Sequence, residues 1–308
     1  MIKSFTVTNY IGDSIKLILG EPEKSGFLIK NVEGLGPIKA TVNTTELSTN
    51  DGSIFNSAKL TSRNIVFDII FLEVRDANYN ILESIEDVRQ KSYKYFGLKK
   101  KVDLVIETDN RIVRTSGYVE SNEPDIFSEQ ESTQISIICP DPFLYGDTVV
   151  SNLHSVEPEF EFPFSNESLD NPILNMGEIH LTTQRTIVYR GDHDVGMTIR
   201  IHAIESASSI TIKNVDTGEF MILDNDKIAS ITGSGIIGKD DIVINTVKGK
   251  KSITLVRDGV SYNILNCLGK DTDWFTLTRG DNRIAFMAEE GISDLRFSIE
   301  NDILYEGV

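Results

Sequence analysis

From Asn64 to Leu72 the chain is almost continuously apolar, with Asp68 as its only charge, in a run of strand length. Such a run reads as a β-strand covered on both faces. Strand patterns of other kinds follow along the sequence. Residues 102–108 alternate apolar and polar, and residues 111–119 follow after Asp109-Asn110, which predicts a hairpin. Residues 1–9 read as a first strand, and 134–143 carry another β-patterned signature. From Ile173 onward come many short strands, at 185–189, 197–204, 209–213, 242–245, 252–256, 283–287 and 295–300. Turns such as Asp216-Thr217-Gly218 and Asp258-Gly259 separate them, which predicts a β-sandwich. One helix stands out. Ser84 caps it, with Asp87 three residues on, while Ile85, Val88, Ser92 and Tyr95 recur at helical spacing and Gly97 stops it. The expected fold is mainly β: an N-terminal barrel-like or split-sheet domain with one α-helix, then a C-terminal sandwich.

At 308 residues the chain has room for two domains. The composition shifts after residues 143–146, and Pro158, Pro163 and Pro172 lie among several glutamates. A connector there places the domains at 1–148 and 149–308. Residues 34–62 form a polar stretch too long for an ordinary connection. Thr41, Val42 and Thr44 against Ile54 and Phe55 predict a projecting hairpin turning at Asn50-Asp51-Gly52-Ser53. Such an arm has little core of its own. It is either held by a neighbouring subunit or left as a flexible surface loop.

The formal net charge is −17, of which −6 falls in residues 1–150 (16 basic, 22 acidic) and −11 in residues 151–308 (14 basic, 25 acidic). Duplex binding depends on Lys and Arg neutralising phosphates, so specific nucleic-acid binding is not expected. The first residues lack the apolar stretch of a secretory signal, and no window approaches a membrane span. Cys139 and Cys267 lie 128 positions apart in apolar surroundings, which predicts two buried, reduced thiols, as suits a protein made in a reducing cytoplasm.

Several motifs invite chemistry that their context does not support. Residues 233–238, Gly-Ser-Gly-Ile-Ile-Gly, spell a dinucleotide motif, but a strand pattern follows rather than the helix that would meet a pyrophosphate. Arg190-Gly191-Asp192 sits at a strand end, where Gly and Asp serve a turn. Asp224-Asn225-Asp226, or Asp192 with Asp194, could in principle chelate calcium, yet neither has the spaced ligands of a calcium loop. No catalytic pairing, metal or cofactor is expected. Trp274 could offer a sugar platform, although Phe275 and Leu277 alternate with Thr276 as a core strand would.

The ordered set of signatures resembles the distal tail protein (Dit) family of long-tailed phages. In the N-terminal half the resemblance rests on Gly34-Leu35-Gly36-Pro37, Asp51-Gly52, the strand opening Arg63-Asn64-Ile65, Tyr95-Phe96-Gly97-Leu98-Lys99-Lys100, Gly117-Tyr118-Val119-Glu120 and Cys139-Pro140-Asp141-Pro142. In the C-terminal half it rests on Tyr189-Arg190-Gly191-Asp192, residues 244–252, Trp274-Phe275 and residues 279–284. The resemblance implies a non-enzymatic structural protein of the virion tail tip: a hexameric ring joining tail tube to baseplate hub around a DNA channel. It also implies a galectin-like outer domain that docks receptor-binding components, with no membrane insertion. Under that reading Gly34, Gly36, Pro37, Thr44, Asp51, Gly52 and Phe55 are candidate subunit contacts. Trp274 and Tyr189 are candidate contacts for a glycan or protein partner. The alternative is a carbohydrate-binding adhesion protein acting through the C-terminal sandwich.

Overall fold

The computed structural model describes residues 1–47, 51–152, 154–157, 178–181 and 183–308. It is mainly β and contains two compact units, one of residues 1–147 with 304–308, the other of residues 148–303. Most of the expected connector, with its three prolines and Ile173, lies outside the described residues. No helix among the described residues is long and apolar enough to cross a membrane.

The first unit begins with β1 (Ile2–Thr8), β2 (Ser14–Ile18) and β3 (Phe27–Glu33). A hairpin, β4 (Ala40–Glu46) and β5 (Ser53–Leu60), precedes β6 (Arg63–Phe71). The short pair β7 (Val74–Arg75) and β8 (Ile81–Glu83) leads into α1 (Ile85–Tyr95). Then come β9 (Lys101–Thr108), β10 (Ile112–Asp125), β11 (Ser132–Cys139) and β12 (Leu144–Asn152), in which Tyr145 stands opposite Arg114.

The long strand β10 organises this unit. Its first half pairs with β9, which pairs with β1, and its second half pairs with β11, which pairs with β6 and so with β3. The result is a split sheet with one shared core. Phe5 of β1 meets Phe67 of β6 edge to face at 5.2 Å, and Val88 and Phe96 add a helical cover. Among the described residues no pairing joins β2 to β3, so the barrel-like sheet is not closed.

One local expectation needs correction. β6 buries residues 63, 65, 67, 69 and 71, but Asn64 is exposed and Val66, Asp68 and Ile70 are only half-buried, so one face is core and the other is partly open. α1 ends just before Gly97, as expected, with Gly97 itself outside the left-handed region. Phe96 is the C-cap, with its ring buried; Lys99 takes the left-handed conformation at φ 60°. The start is as expected. The Ser84 hydroxyl accepts from the Asp87 N–H while the Asp87 carboxylate accepts from the Ser84 N–H, a full capping box.

The second unit contains a small pair, β13 (His154–Glu157) and β14 (Glu178–Leu181), and two larger sheets. Its further elements are β15 (Gln184–Tyr189), β16 (Thr198–Ala203), β17 (Ile210–Asn214), β18 (Phe220–Leu223), α2 (Asn225–Thr232) and β19 (Asp241–Asn245). After them come β20 (Ser252–Arg257), β21 (Val260–Asn263), β22 (Gly280–Met287) and β23 (Leu295–Tyr305). One sheet runs β23-β16-β19-β20-β21, the other β15-β22-β17-β18. Alternate residues of each are buried, and Phe286 of β22 meets Phe297 of β23 at 4.2 Å, so the two sheets face each other as a β-sandwich.

Candidate assembly surfaces

The polar stretch after β3 is built on a rigid base. At Gly34 the chain turns with φ 82°, and a Cβ there would run into the Asn64 carbonyl of β6, so only glycine allows the approach. Leu35 is buried just beyond. Arg63, the first residue of β6, is also buried, and it is held by carbonyls. Its guanidinium donates to Gly34 O (2.5 Å), Gly36 O (2.8 Å), Pro142 O (2.9 Å) and Glu306 O (2.7 Å). Burial lowers its pKa from the ordinary guanidinium value. The Val308 N–H adds a bond to Leu35 O at 3.1 Å. Three distant pieces of chain thus meet on one planar cation.

The hairpin beyond this base has no such support. β4 and β5 pair only with each other, and every residue of the two strands is exposed except the half-buried Leu60. The register, with a bulge between Asn43 and Thr44, sorts its side chains. Ala40, Val42, Thr44, Phe55, Ala58 and Leu60 share one face; Thr41, Asn43, Thr45, Asn56, Ser57 and Lys59 share the other, with Ile54. On the polar face Asn43 donates to Ser57 (3.1 Å) and Asn56 to Thr45 (2.7 Å). The apolar face is open, with Val42 56% and Phe55 62% exposed. Covering either side chain contributes roughly 1.5–3 kcal/mol, so a hairpin that exposes both is incomplete by itself.

The candidate contacts fall within this construction. Gly34 and Gly36 belong to the base through their carbonyls, and Pro37 is exposed beside them. Thr44 stands opposite Phe55 across the hairpin. Asp51 and Gly52 enter β5 from the turn, Gly52 at φ 100°; Asn50 lies outside the described residues. Arg63 was visible in the sequence only as the start of a strand, although a lone Arg heading an apolar run signals a buried cation that needs partners.

The other two candidates lie in the second unit. Tyr189 is 2% exposed and its hydroxyl donates to His193 O at 2.8 Å, so it is a core residue and not an available contact. Trp274 is half-buried with Lys251 Nζ 5.1 Å from its ring centre, while Phe275 beside it is core. The remaining motifs resolve into structure. Asp224 caps α2, accepting from the Asp226 and Lys227 N–H groups. Gly233 is the left-handed C-cap of α2 at φ 84°, and buried Asp240 pairs with Arg257 at 2.6 Å; Arg257 also binds Gly235 O at 2.7 Å. That loop is thereby closed on itself ahead of β19. Cys139 and Cys267 are buried free thiols, and burial raises both pKa values.

Comparison with known proteins agrees with this architecture. Residues 190–299 match the family model of the siphovirus-type tail component, C-terminal domain. The crystal structure of the Dit protein of phage SPP1, described as a paradigm of hub adsorption apparatus in phages infecting Gram-positive bacteria, aligns with a TM-score of 0.65 at 13% identity. The alignment covers 98% of this chain and 99% of that one. Chains of the phage p2 baseplate in its activated conformation, with Sr and with Ca, align at a TM-score of 0.47 and 12% identity over 96% and 97% of this chain, and 97% and 98% of theirs. No curated protein matches the sequence. Residues 190–299 therefore match the siphovirus-type tail component family model, and the chain over its length has the fold of a phage distal tail protein.

Proposed function

We propose that the chain is a structural protein of a phage or phage-derived tail tip that closes into a ring, six-fold as the family resemblance implies. The ring joins the tail tube to the baseplate hub and leaves a channel for DNA. The second unit docks receptor-binding components. No chemical step is required of it, and assembly is its activity. It is made in the host cytoplasm and acts in the virion.

The observation that carries this reading is the β4–β5 hairpin, whose apolar face is open while its base is fixed by Arg63. A fixed base aims the hairpin, and an uncovered face needs a second surface; a neighbouring copy supplies it. Obligate assembly interfaces commonly bury roughly 2,000 Å² or more, and the hairpin supplies part of that. The core of the first unit does not include hairpin residues, so removing them spares the fold. Deleting residues 44–54 is expected to leave a folded monomer where the intact chain forms rings by negative-stain microscopy and sedimentation. Rings formed by the deletion variant sink the reading.

A further inference from the structure

Resting on that ring reading, we infer that the first unit carries a matched pair of docking surfaces for a second copy of this chain, one basic and one acidic, each with an apolar centre. The basic surface combines two turns. In the first, the Asn9 side chain accepts from the Ile11 and Asp13 N–H groups (3.0 and 2.9 Å) and donates to Lys94 O (3.2 Å), which fixes Tyr10 and Ile11 outward. In the second, Lys99 N–H donates to Val119 O (2.8 Å) and Val119 N–H to Lys100 O (3.1 Å), which fixes Leu98, Lys99 and Lys100 against β10. Lys100 Nζ lies 4.8 Å from the Tyr10 ring centre and joins the two turns. Tyr10, Ile11 and Leu98 are all more than half exposed. Neither Lys99 nor Lys100 has an ion-pair partner among the described residues.

The acidic surface is the turn between β10 and β11. The Asp125 carboxylate accepts from the Phe127 N–H (3.3 Å), the Ser128 hydroxyl donates to Gln130 O (2.7 Å), and the Phe71 N–H donates to Glu131 O (2.9 Å). Arg89 neutralises Glu131 at 2.7 Å and anchors the turn to α1. On this ordered support Phe127 is 95% exposed, with Ile126 beside it. Glu123, Asp125 and Glu129 surround them without an ion-pair partner among the described residues.

The two surfaces lie along the same strand, near Val119 and just beyond Asp125. Seven strand residues span roughly 23 Å, so the surfaces of one copy cannot satisfy each other. Opposite charge around apolar centres at two separate places is the condition for a head-to-tail contact between copies, which closes into a ring when the rotation allows. In a chain with net charge −17, two adjacent lysines beside exposed aromatic and aliphatic side chains supply the positive charge that such a contact requires.

Charge-swap complementation tests this on the full chain. One variant carries Lys99→Glu with Lys100→Glu, the other Glu123→Lys with Glu129→Lys; Asp125 is kept because it holds the turn. Each alone is expected to self-associate more than about tenfold more weakly than the unaltered chain by sedimentation velocity, since like charges then face each other. Mixed in equal amounts they are expected to recover association, in rings of alternating copies, which also shows that both variants fold. Unaltered association of either variant alone, or no recovery on mixing, overturns the pairing of surfaces while leaving the ring reading in place. An unaltered chain that stays monomeric at every concentration overturns both.

Discussion

Arg63 makes four hydrogen bonds to carbonyls of Gly34, Gly36, Pro142 and Glu306 and has no carboxylate partner among the described residues. A planar guanidinium can point donors at several segments at once; a lysine ammonium on the same stem cannot. Arg63→Lys is therefore expected to lower the unfolding free energy by roughly 3 kcal/mol, because buried carbonyls lose a charged donor. Urea denaturation measures this, and a loss within about 0.5 kcal/mol, as at an ordinary surface site, would mean that the clamp contributes little. The sequence shows the charge heading an apolar strand but not its purpose, since one partner lies 243 positions away. Tyr189 teaches the converse. The resemblance makes it a candidate contact, yet strand alternation with Ile187 puts it in the core, and the His193 carbonyl accepts its hydroxyl hydrogen bond.

At the scale of elements, legibility follows how local the determining interactions are. The capping box of α1 involves residues three apart and could be read directly; so could the Asp109-Asn110 hairpin and the β4–β5 arm with its Asp-Gly turn. Ser84→Ala is expected to cost about 1 kcal/mol, the usual worth of an N-cap, and to weaken hydrogen-exchange protection in the first turn of α1 before any other element. Amide exchange followed by NMR checks it; uniform loss of protection across the unit would show that α1 unfolds only with the whole. α2 escaped sequence reading because Asp224-Asn225-Asp226 looks like a cluster of oxygen ligands, whereas Asp224 is spent on capping. β18 and β21 escaped because four residues are too few to display alternation, and their partners β17 and β20 define them. The openness of the split sheet was also not local, as it depends on whether β2 meets β3.

Across the whole molecule the excess of carboxylates gives stability a direction in pH. Asp87 is held below its ordinary pKa by the Ser84 hydroxyl and N–H, Glu107 by Lys16 and Ser4, Asp109 by the N-terminal ammonium, and Asp216 by the Arg283 N–H and guanidinium. A carboxylate with a lowered folded pKa contributes stability that is fully present above its unfolded pKa, near 4, and is lost as pH falls through the folded value. Net charge acts alongside. From −17 the charge first shrinks as carboxylates protonate, which relieves self-repulsion, but continued protonation leaves 30 Lys and Arg with 4 His uncompensated. With a Debye length of about 8 Å at physiological salt, the diffuse charge is largely screened, whereas hydrogen-bonded pairs are not. The local pairs therefore decide the outcome. The melting temperature is expected to be nearly level from about pH 7 to pH 5 and to fall steeply below about pH 4. A melting temperature unchanged down to about pH 3 would show that these pairs contribute nothing. Asp216→Asn supplies the control: it removes one lowered carboxylate of the sandwich, so it should shrink the acid-dependent loss of stability there without altering that of the split-sheet unit.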